Sequence, residues 1–278
     1  MSKAFEAVLY GGNVVISRSA NHRYRVSKHG AKSTPCPSVT TILGKKDKSR
    51  ALLPWATRCS AEKFLQLVQP DTDYRWNAAE LADMKAQIEN ASNEKRDAAG
   101  DAGTLVHEWI ESIYIGLMNK TAAPTLPEGD WVTDGVLRAA TKFLNWVERF
   151  EVYPLAMERA VYSMAQHYSG QTDTVLVVGG RVGIWDAKTG KSIYPEVMIQ
   201  TAAYASALGE EGIMPVADPD RGVTLFERGP DGDLTGEFEP VEFPYSRMSH
   251  DLQAFHALHK VYKWDRGAFA ELKKIRGI

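Results

Sequence analysis

The sequence has little cysteine and no long hydrophobic segment. Its two cysteines, Cys36 and Cys59, are too few and too loosely spaced for a zinc site or an iron–sulfur cluster. No apolar run reaches the ~20 residues that a membrane span requires, and the start lacks a signal-peptide pattern. We therefore expect a cytoplasmic protein without a membrane partner and without a disulfide.

The sequence also lacks a strong net charge, but its charges are unevenly distributed. The formal net charge is −2 over 278 residues. Residues 18–50 contain nine lysines and arginines against one acid, whereas residues 210–242 contain ten acids against two arginines. This asymmetry fits either an electropositive face for a polyanion or two solvated loops of opposite sign.

Hydrophobic periodicity predicts a mixed α/β chain that begins with short strands. The polar segment 89–103 is expected to lead into or cap a helix that starts near residue 104. Two amphipathic helices are expected to close the chain. The other predicted helices cover 38–43, 49–68, 134–150 and 196–208, and the later strands cover 155–164, 169–178, 181–189, 222–228 and 235–243.

The stretch GIWDAKTGKS, residues 183–192, ends like a phosphate-binding P-loop. That motif, G-x-x-x-x-G-K-[ST], would require glycine at position 185, where the chain has Trp185. The preceding residues also have strand character where an open glycine-rich loop is needed. The sequence therefore argues against a P-loop NTPase.

Asp186 and Lys188 in the same stretch are expected on one face of a strand, because side chains two residues apart point the same way. A carboxylate can hold a divalent cation, and a neighbouring lysine can stabilise charge on a phosphate or help to deprotonate water. A surface ion pair would have the same spacing. The pair alone leaves both interpretations open.

Asp173 lies in the preceding predicted strand. If the two strands form a hairpin around Gly179 and Gly180, Asp173 and Asp186 are equally far from the turn and face each other. Opposed carboxylates repel unless a positive charge lies between them, which favours a bound metal ion. A different register, or one acid pointing to solvent, would remove this argument.

Four further residues are candidates for the same site. Gln200 and Tyr204 are one turn apart on a helix, where they can bond a nucleic-acid backbone or belong to a half-buried face. His107 is either a metal ligand or a helix-surface histidine, since HEWIE lacks the second histidine of H-E-x-x-H. Glu158 is an acid in an apolar run, a residue type seldom buried unless paired or metal-bound.

Five motifs follow one another along the chain: GTLVH (103–107), Glu158, GQTD (170–173), DAK (186–188) and QTAAY (200–204). The set resembles the RecB-like branch of the PD-(D/E)XK nuclease superfamily. It is similar to phage-encoded exonucleases, CRISPR-associated RecB-like nucleases and the mitochondrial genome maintenance exonuclease. PSVTTILG and ALLPWA also resemble the N-terminal region of such phage exonucleases, so the resemblance covers residues 37–205.

The resemblance implies an α/β, restriction-endonuclease-like core, with a central mixed β-sheet flanked by helices and a helical N-terminal portion. It implies one or two Mg²⁺ or Mn²⁺ ions, bound by His107, Asp173, Asp186, the Ala187 carbonyl and, directly or through a neighbour, Glu158. Lys188 would activate or orient water, while Gln200 and Tyr204 would organise the site and contact the strand. Many relatives carry a four-cysteine iron–sulfur cluster, which two cysteines cannot form, so that cofactor is excluded.

The expected function is metal-dependent DNA exonuclease activity, preferring single strands or ends, in recombination, repair or phage replication. The alternatives are a catalytically silent DNA-binding or recombination-accessory protein, a structure-specific endonuclease, and a metal-dependent hydrolase of another substrate. Recombination or replication proteins are possible partners besides DNA. Besides Tyr204, the expected DNA contacts are basic residues that would follow the DNA backbone: Arg23, Arg25, Lys45, Lys46, Lys48 and Arg50.

We expect one nuclease domain over residues 1–278. Its segments would be basic strands with a helical arm (1–95), a nuclease core (96–262) and a C-terminal helix (263–278).

Overall fold

The computed structural model describes residues 4–68, 72–121, 125–214 and 220–276. The chain forms two compact units: Met1–Lys45 with Glu108–Ile278, and Lys46–His107. The prediction of a single domain with three segments is not tested by this division into two units and stays a prediction. None of the helices in the described part of the chain has the length and hydropathy needed to cross a lipid bilayer.

Fifteen main elements follow one another along the described residues. The strands are β1 (Phe5–Leu9), β2 (Val14–Arg18), β3 (Tyr24–Lys28), β4 (Thr34–Cys36), β5 (Tyr153–Ser163), β6 (Tyr168–Val178), β7 (Arg181–Gly190), β8 (Asp220–Arg228) and β9 (Leu234–Glu242). The helices are α1 (Val39–Leu43), α2 (Ser49–Leu67), α3 (Ala78–Asn119), α4 (Asp134–Arg149), α5 (Glu196–Glu210) and α6 (Met248–Arg276).

The larger sheet has the order β5-β6-β7-β8-β9, in which β7 and β8 are parallel and the other neighbours antiparallel. The α5 helix connects the two parallel strands, since a parallel pair needs a crossover rather than a tight turn. This is the mixed, helix-flanked sheet that a restriction-endonuclease-like fold requires. The predicted fold class is confirmed.

The two faces of this sheet are buried by different helices. On one face, Ile184 of β7 and Tyr204 of α5 lie in a core that also includes Val39 of α1 and Phe255 of α6. On the other face, the rings of Trp185 of β7 and Trp146 of α4 lie 5.2 Å apart. Because Trp185 alternates with Ile184 and Asp186, β7 has one aromatic face and one face that becomes polar toward its end.

The N-terminal strands form a separate antiparallel sheet, in the order β1-β2-β3-β4. Alternate residues such as Ile16 and Val26 are buried and pack with Ala160 and Tyr162 of β5. Ser38 then caps α1, where its Oγ accepts a hydrogen bond of 3.0 Å from the Thr41 amide. The predicted strands and the short helix after them are confirmed.

Helix α3 corrects one prediction, because the polar segment 89–103 lies inside it rather than before it. The helix begins at a capping box: Asn77 Oδ1 accepts from the Glu80 amide at 3.0 Å, and Glu80 Oε2 accepts from the Asn77 amide at 2.9 Å. The segment that follows is rich in Glu, Lys, Arg and Ala, which are good helix formers, and contains no proline. Its polarity indicates a solvated helix, not a break.

The end of the chain corrects a second prediction. Residues Met248–Arg276 form one helix, α6, instead of two. Gly267 is the residue most unfavourable to the helix, and a single glycine costs only about 1 kcal/mol relative to alanine.

The second unit contains α2 and the N-terminal part of α3. Lys95 forms an ion pair with Glu62, and the Nζ of Lys63 lies 3.6 Å from Glu94 Oε2. Ser60 donates a hydrogen bond of 3.1 Å to the Ile88 carbonyl. Cys59 is buried in this unit.

Candidate active site

The β6–β7 hairpin brings the two predicted aspartates face to face. Its register runs from Val178 opposite Arg181 to Thr174 opposite Trp185, so the next pair is Asp173 and Asp186. The turn residues Gly179 and Gly180 both have positive φ, 57° and 80°, as the two central residues of a type I′ turn require. The register predicted from the position of the two glycines is confirmed.

The Asp186 carboxylate is buried and only partly compensated. Its side chain is 1% exposed, and Oδ2 lies 2.5 Å from the Lys188 Nζ. Its Oδ1 accepts no hydrogen bond from any residue that the structure describes. A buried oxygen without a partner is costly, so this atom has one coordination position to offer.

Asp173 is held close to the same strand. Its Oδ2 accepts a hydrogen bond of 3.2 Å from the backbone amide of Ala187. This bond fixes the carboxylate beside Asp186 rather than letting it turn away into solvent. Two acids and one lysine therefore lie on adjacent strands at the end of the hairpin.

The electrostatics of the three groups are linked. Burial raises the pKa of Asp186 to about 7, and the nearby Asp173 adds to the rise, whereas Lys188 opposes it. Burial lowers the pKa of Lys188, but the carboxylates of Asp186 and Asp173 outweigh that effect and leave it above its usual value. Lys188 is therefore a protonated donor at neutral pH.

Helix α5 supplies the two predicted polar residues next to the aspartates. Gln200 donates a hydrogen bond of 3.2 Å from Nε2 to the Tyr204 hydroxyl. Tyr204 is buried at 3% exposure, and its ring lies over Gly170, where a Cβ would come within 2.6 Å of Cε1. Gly170 is needed for this close approach. Tyr204 is thus held in place between α5 and β6, and its contact with DNA stays a prediction.

A polar cleft of about 280 Å³ opens beside Asp173. Glu158 lines it from β5, where its neighbours Met157 and Arg159 pair with Thr174 and Thr172, so that Glu158 stands opposite Asp173. Glu158 is exposed and has a left-handed φ of 44°, which is uncommon outside glycine. The remaining lining residues include Gln171, Thr172, Gln200 and Tyr204.

The N-terminal sheet supplies cleft residues that are not among the predicted catalytic and metal-binding residues. Arg18 and Tyr24 form a cross-strand pair on β2 and β3, and both line the cleft with His22, Ser38 and Thr40. Arg18 Nη1 donates a hydrogen bond of 2.6 Å to Gln171 Oε1. The sequence signal for this was the alternation of apolar and polar residues along β3. Tyr24 lies on the same buried face as Val26, whereas the predicted contact Arg25 points the other way and donates to Ser33.

Lys45 and Arg23, two further predicted DNA contacts, do not line the cleft. Lys45 forms an ion pair with Asp265 of α6. Arg23 is exposed in the turn before β3. The other predicted residues belong to the second unit, so their roles stay predictions: Lys46, Lys48, Arg50 and His107.

A family model for the PD-(D/E)XK nuclease superfamily matches residues 71–271. The match covers more than two thirds of the chain and includes both aspartates and Lys188. The chain belongs to the PD-(D/E)XK nuclease superfamily. A comparison with curated protein sequences finds no significant match. Membership implies that this protein is a nuclease with DNA as its substrate class, whereas the RecB-like branch stays a prediction.

Nucleases of this superfamily typically use divalent metal ions such as Mg²⁺. Among the residues described for this nuclease, no group of three or more His, Cys, Asp or Glu is arranged to hold a metal ion. Mg²⁺ needs fewer protein ligands than that, because it keeps several waters and is usually bound by one or two carboxylates plus substrate phosphates. The opposed Asp173 and Asp186, with the unpartnered Oδ1, fit that requirement.

Proposed function

We propose that this nuclease is a Mg²⁺- or Mn²⁺-dependent exonuclease that acts on single-stranded DNA or DNA ends. The observation that carries the nuclease chemistry is the opposed pair of Asp173 and Asp186, with Lys188 at 2.5 Å from one of them. The order of the five motifs supports the exonuclease assignment and a role in recombination, repair or phage replication. A silent accessory protein would gain nothing from holding two carboxylates together at the cost of their repulsion.

The residues divide the chemistry between them. A divalent cation bound at Asp173 and Asp186 would offset charge on the phosphate and lower the pKa of water. Lys188, protonated and two residues from Asp186, would stabilise the charge that develops on a phosphate oxygen. Gln200, held by Tyr204, would orient groups at the mouth of the cleft. Asp173 would keep its place through the Ala187 amide.

The cleft supports binding of the strand close to the scissile phosphate. Arg18 is a fixed cation whose guanidinium is oriented by Gln171, and Tyr24 adds an aromatic edge beside it. Such a combination suits a phosphodiester backbone, since phosphates bind cations and bases contact aromatic rings. We propose that this wall, in addition to the basic residues predicted from the sequence, contacts the DNA.

The test is cleavage of end-labelled DNA by the full chain with Mg²⁺, Mn²⁺ or EDTA. Linear single strands labelled at either end, linear duplexes and closed circular single strands are compared. We expect metal-dependent shortening of linear strands and no cleavage of the circle, which has no end. Cleavage of the circle would make the protein an endonuclease, and absence of cleavage in every metal would end the proposal.

Matched variants assign the cleavage to the site. Lys188→Ala is expected to abolish most activity, whereas Lys191→Ala, three residues further along and exposed, should cut like the wild type. Asp186→Asn keeps the shape of the side chain while removing its charge. If Asp186→Asn and Lys188→Ala cut normally while folded, the catalytic residues lie elsewhere.

A further inference from the structure

The second half of α6 forms one side of a groove that the proposed active site does not use. The groove has a volume of about 550 Å³ and is lined by Lys45 and by Asp265, Arg266, Phe269, Ala270 and Lys273 of α6. Phe269 is 68% exposed although it is a large apolar residue. Its ring therefore has a face available to a ligand.

The charge of this segment is strongly positive in an otherwise acidic protein. Residues 260–276 contain six lysines and arginines against Asp265 and Glu271. Asp265 is paired with Lys45, so the acid in the groove is neutralised within it. Arg266 and Lys273 remain on the rim as cations.

This combination matches the chemistry of a single nucleic-acid strand. Bases stack on exposed aromatic rings regardless of sequence, while neighbouring cations bind the phosphates. A groove lined both by the apolar Phe269 and Ala270 and by the cations Arg266 and Lys273 offers both contacts. A peptide partner would need an acidic side chain for Arg266 or Lys273 and an apolar side chain for Phe269 at matching positions. A nucleic-acid strand carries a phosphate and a base in every nucleotide.

Helix α1 links this groove to the cleft at the candidate active site. Thr40, in the first turn of α1, lines the cleft, and Lys45, just beyond its end, lines the groove. The two residues are about 7.5 Å apart along a helix axis that rises 1.5 Å per residue. A strand held in the cleft is therefore within reach of the groove.

We propose that the groove formed by Lys45 and α6 is a second binding site for single-stranded nucleic acid, which holds the part of the strand adjacent to the part in the cleft. Phe269 stacks on a base, and Arg266 and Lys273 bind phosphates. The proposal rests on the proposed function for the identity of the strand in the cleft. The groove itself is a binding site whether or not the protein cuts.

The test is equilibrium binding of a fluorescently labelled 20-nucleotide oligothymidylate to the full chain in EDTA, where cleavage is not expected. Phe269→Ala is expected to weaken binding about tenfold, the effect of losing one base stack. Arg266→Ala and Lys273→Ala should each reduce the slope of log affinity against log salt by about 0.7, the value for one phosphate contact on a single strand.

Control variants lie on the same helix. Trp264 is 70% exposed, as open as Phe269, but lies about 140° away around the helix and does not line the groove. Lys274 is exposed and lies about 100° from Lys273. Trp264→Ala and Lys274→Ala should bind like the wild type. If they weaken binding as much as Phe269→Ala and Lys273→Ala, the groove is not the site.

The outcomes separate this proposal from the proposed nuclease activity. If the wild type cuts DNA but Phe269→Ala, Arg266→Ala and Lys273→Ala all bind like it, the groove proposal fails and the nuclease stands. If the wild type never cuts but the groove variants lose affinity, the nuclease proposal fails and the groove stands. Sedimentation provides a further check: a wild-type dimer that Phe269→Ala converts to a monomer with unchanged DNA affinity would assign the groove to a second copy of the chain and overturn the proposal.

Discussion

Two buried aspartates in this protein have opposite surroundings. Asp251 of α6 is 3% exposed, and both its oxygens are paired: Oδ2 with Arg221 at 3.0 Å and Oδ1 with Arg247 at 3.2 Å. Asp186 of β7 is 1% exposed, faces another acid and leaves Oδ1 without a hydrogen bond among the described residues. Both aspartates are buried, but only at Asp251 does each carboxylate oxygen have a partner among the described residues.

The difference separates an aspartate whose oxygens are both paired with arginines from one that the described residues leave partly uncompensated. Arg221 is held in turn by the Met198 carbonyl at 2.8 Å, so the Asp251 cluster joins β8, α5 and α6. Among the described residues, Asp186 has Lys188 at 2.5 Å as its cation, which is 37% exposed, and its Oδ1 accepts no hydrogen bond. A buried carboxylate without a full set of partners is costly, which supports the metal-binding role that we propose for Asp186.

The largest expected effect is on stability and concerns the Asp251 cluster. Asp251→Ala should lower the free energy of unfolding by about 3–5 kcal/mol, because it leaves Arg221 buried without its partner. At pH 8, above the pKa of Asp186 of about 7, Asp186→Ala should change it by less than about 1 kcal/mol or raise it, because it then removes a buried charge that Asp173 repels. Urea denaturation of both variants in EDTA measures the contrast. Equal losses would show that Asp186 is as structural as Asp251.

The second-largest expected effect is on the cleavage rate, and it compares the cation beside Asp186 with one beside Asp251. Lys188→Ala is expected to lower the cleavage rate by about 10²–10³, the cost of removing one group that stabilises transition-state charge. Arg247→Ala removes the partly exposed cation from Asp251 and should leave cleavage per folded molecule unchanged. Single-turnover cleavage of a labelled strand compares the two. A similar loss in Arg247→Ala would mean that activity follows stability rather than site chemistry.

Much of the sheet could be predicted because its signals are local. Gly179 and Gly180 mark the turn, and a two-residue turn fixes the register of every pair that follows, including Asp173 with Asp186. Helix α3 is predicted to start near residue 104 although Asn77 and Glu80 carry a capping box, because the polar segment 89–103 is expected to lead into or cap the helix rather than lie inside it. The polarity of a segment indicates that it is exposed to solvent. Whether it forms a helix is indicated by the helix propensities of its residues and by its capping residues.

The candidate site was predictable where its residues lie on neighbouring strands or one turn apart on α5, and not where the N-terminal sheet enters it. Arg18 and Tyr24 enter the cleft because the N-terminal sheet packs on β5, a contact between residues more than a hundred positions apart. No spacing rule in a single sequence reports that contact. The burial of Tyr204 likewise depends on Gly170 of another strand, so its expected contact with DNA was inferred without that information.

A smaller expected effect is stabilisation by divalent cations, which should depend on Asp186 and not on Asp251. Mg²⁺ at a hundredfold excess over its Kd should stabilise the wild type by about 2.7 kcal/mol. Asp251→Asn, although less stable, should gain the same increment, whereas Asp186→Asn should gain little. Denaturation midpoints with and without Mg²⁺ give the increments. If Asp186→Asn gains as much as the wild type, the ion binds elsewhere.

The smallest effect is a pH dependence confined to Asp186. Burial and Asp173 raise its pKa to about 7 in the folded chain, so it keeps a proton that the unfolded chain has lost above about pH 4. Its contribution to stability is therefore full below pH 4 and is lost as pH rises to about 7. Without metal, the wild type should lose about 1 kcal/mol relative to Asp186→Asn between pH 6 and pH 7. If the free energy of unfolding has the same pH dependence in the wild type and in Asp186→Asn, the Asp186 carboxylate is already ionised without metal. The missing partner that distinguishes Asp186 from Asp251 would then have no effect on its ionisation.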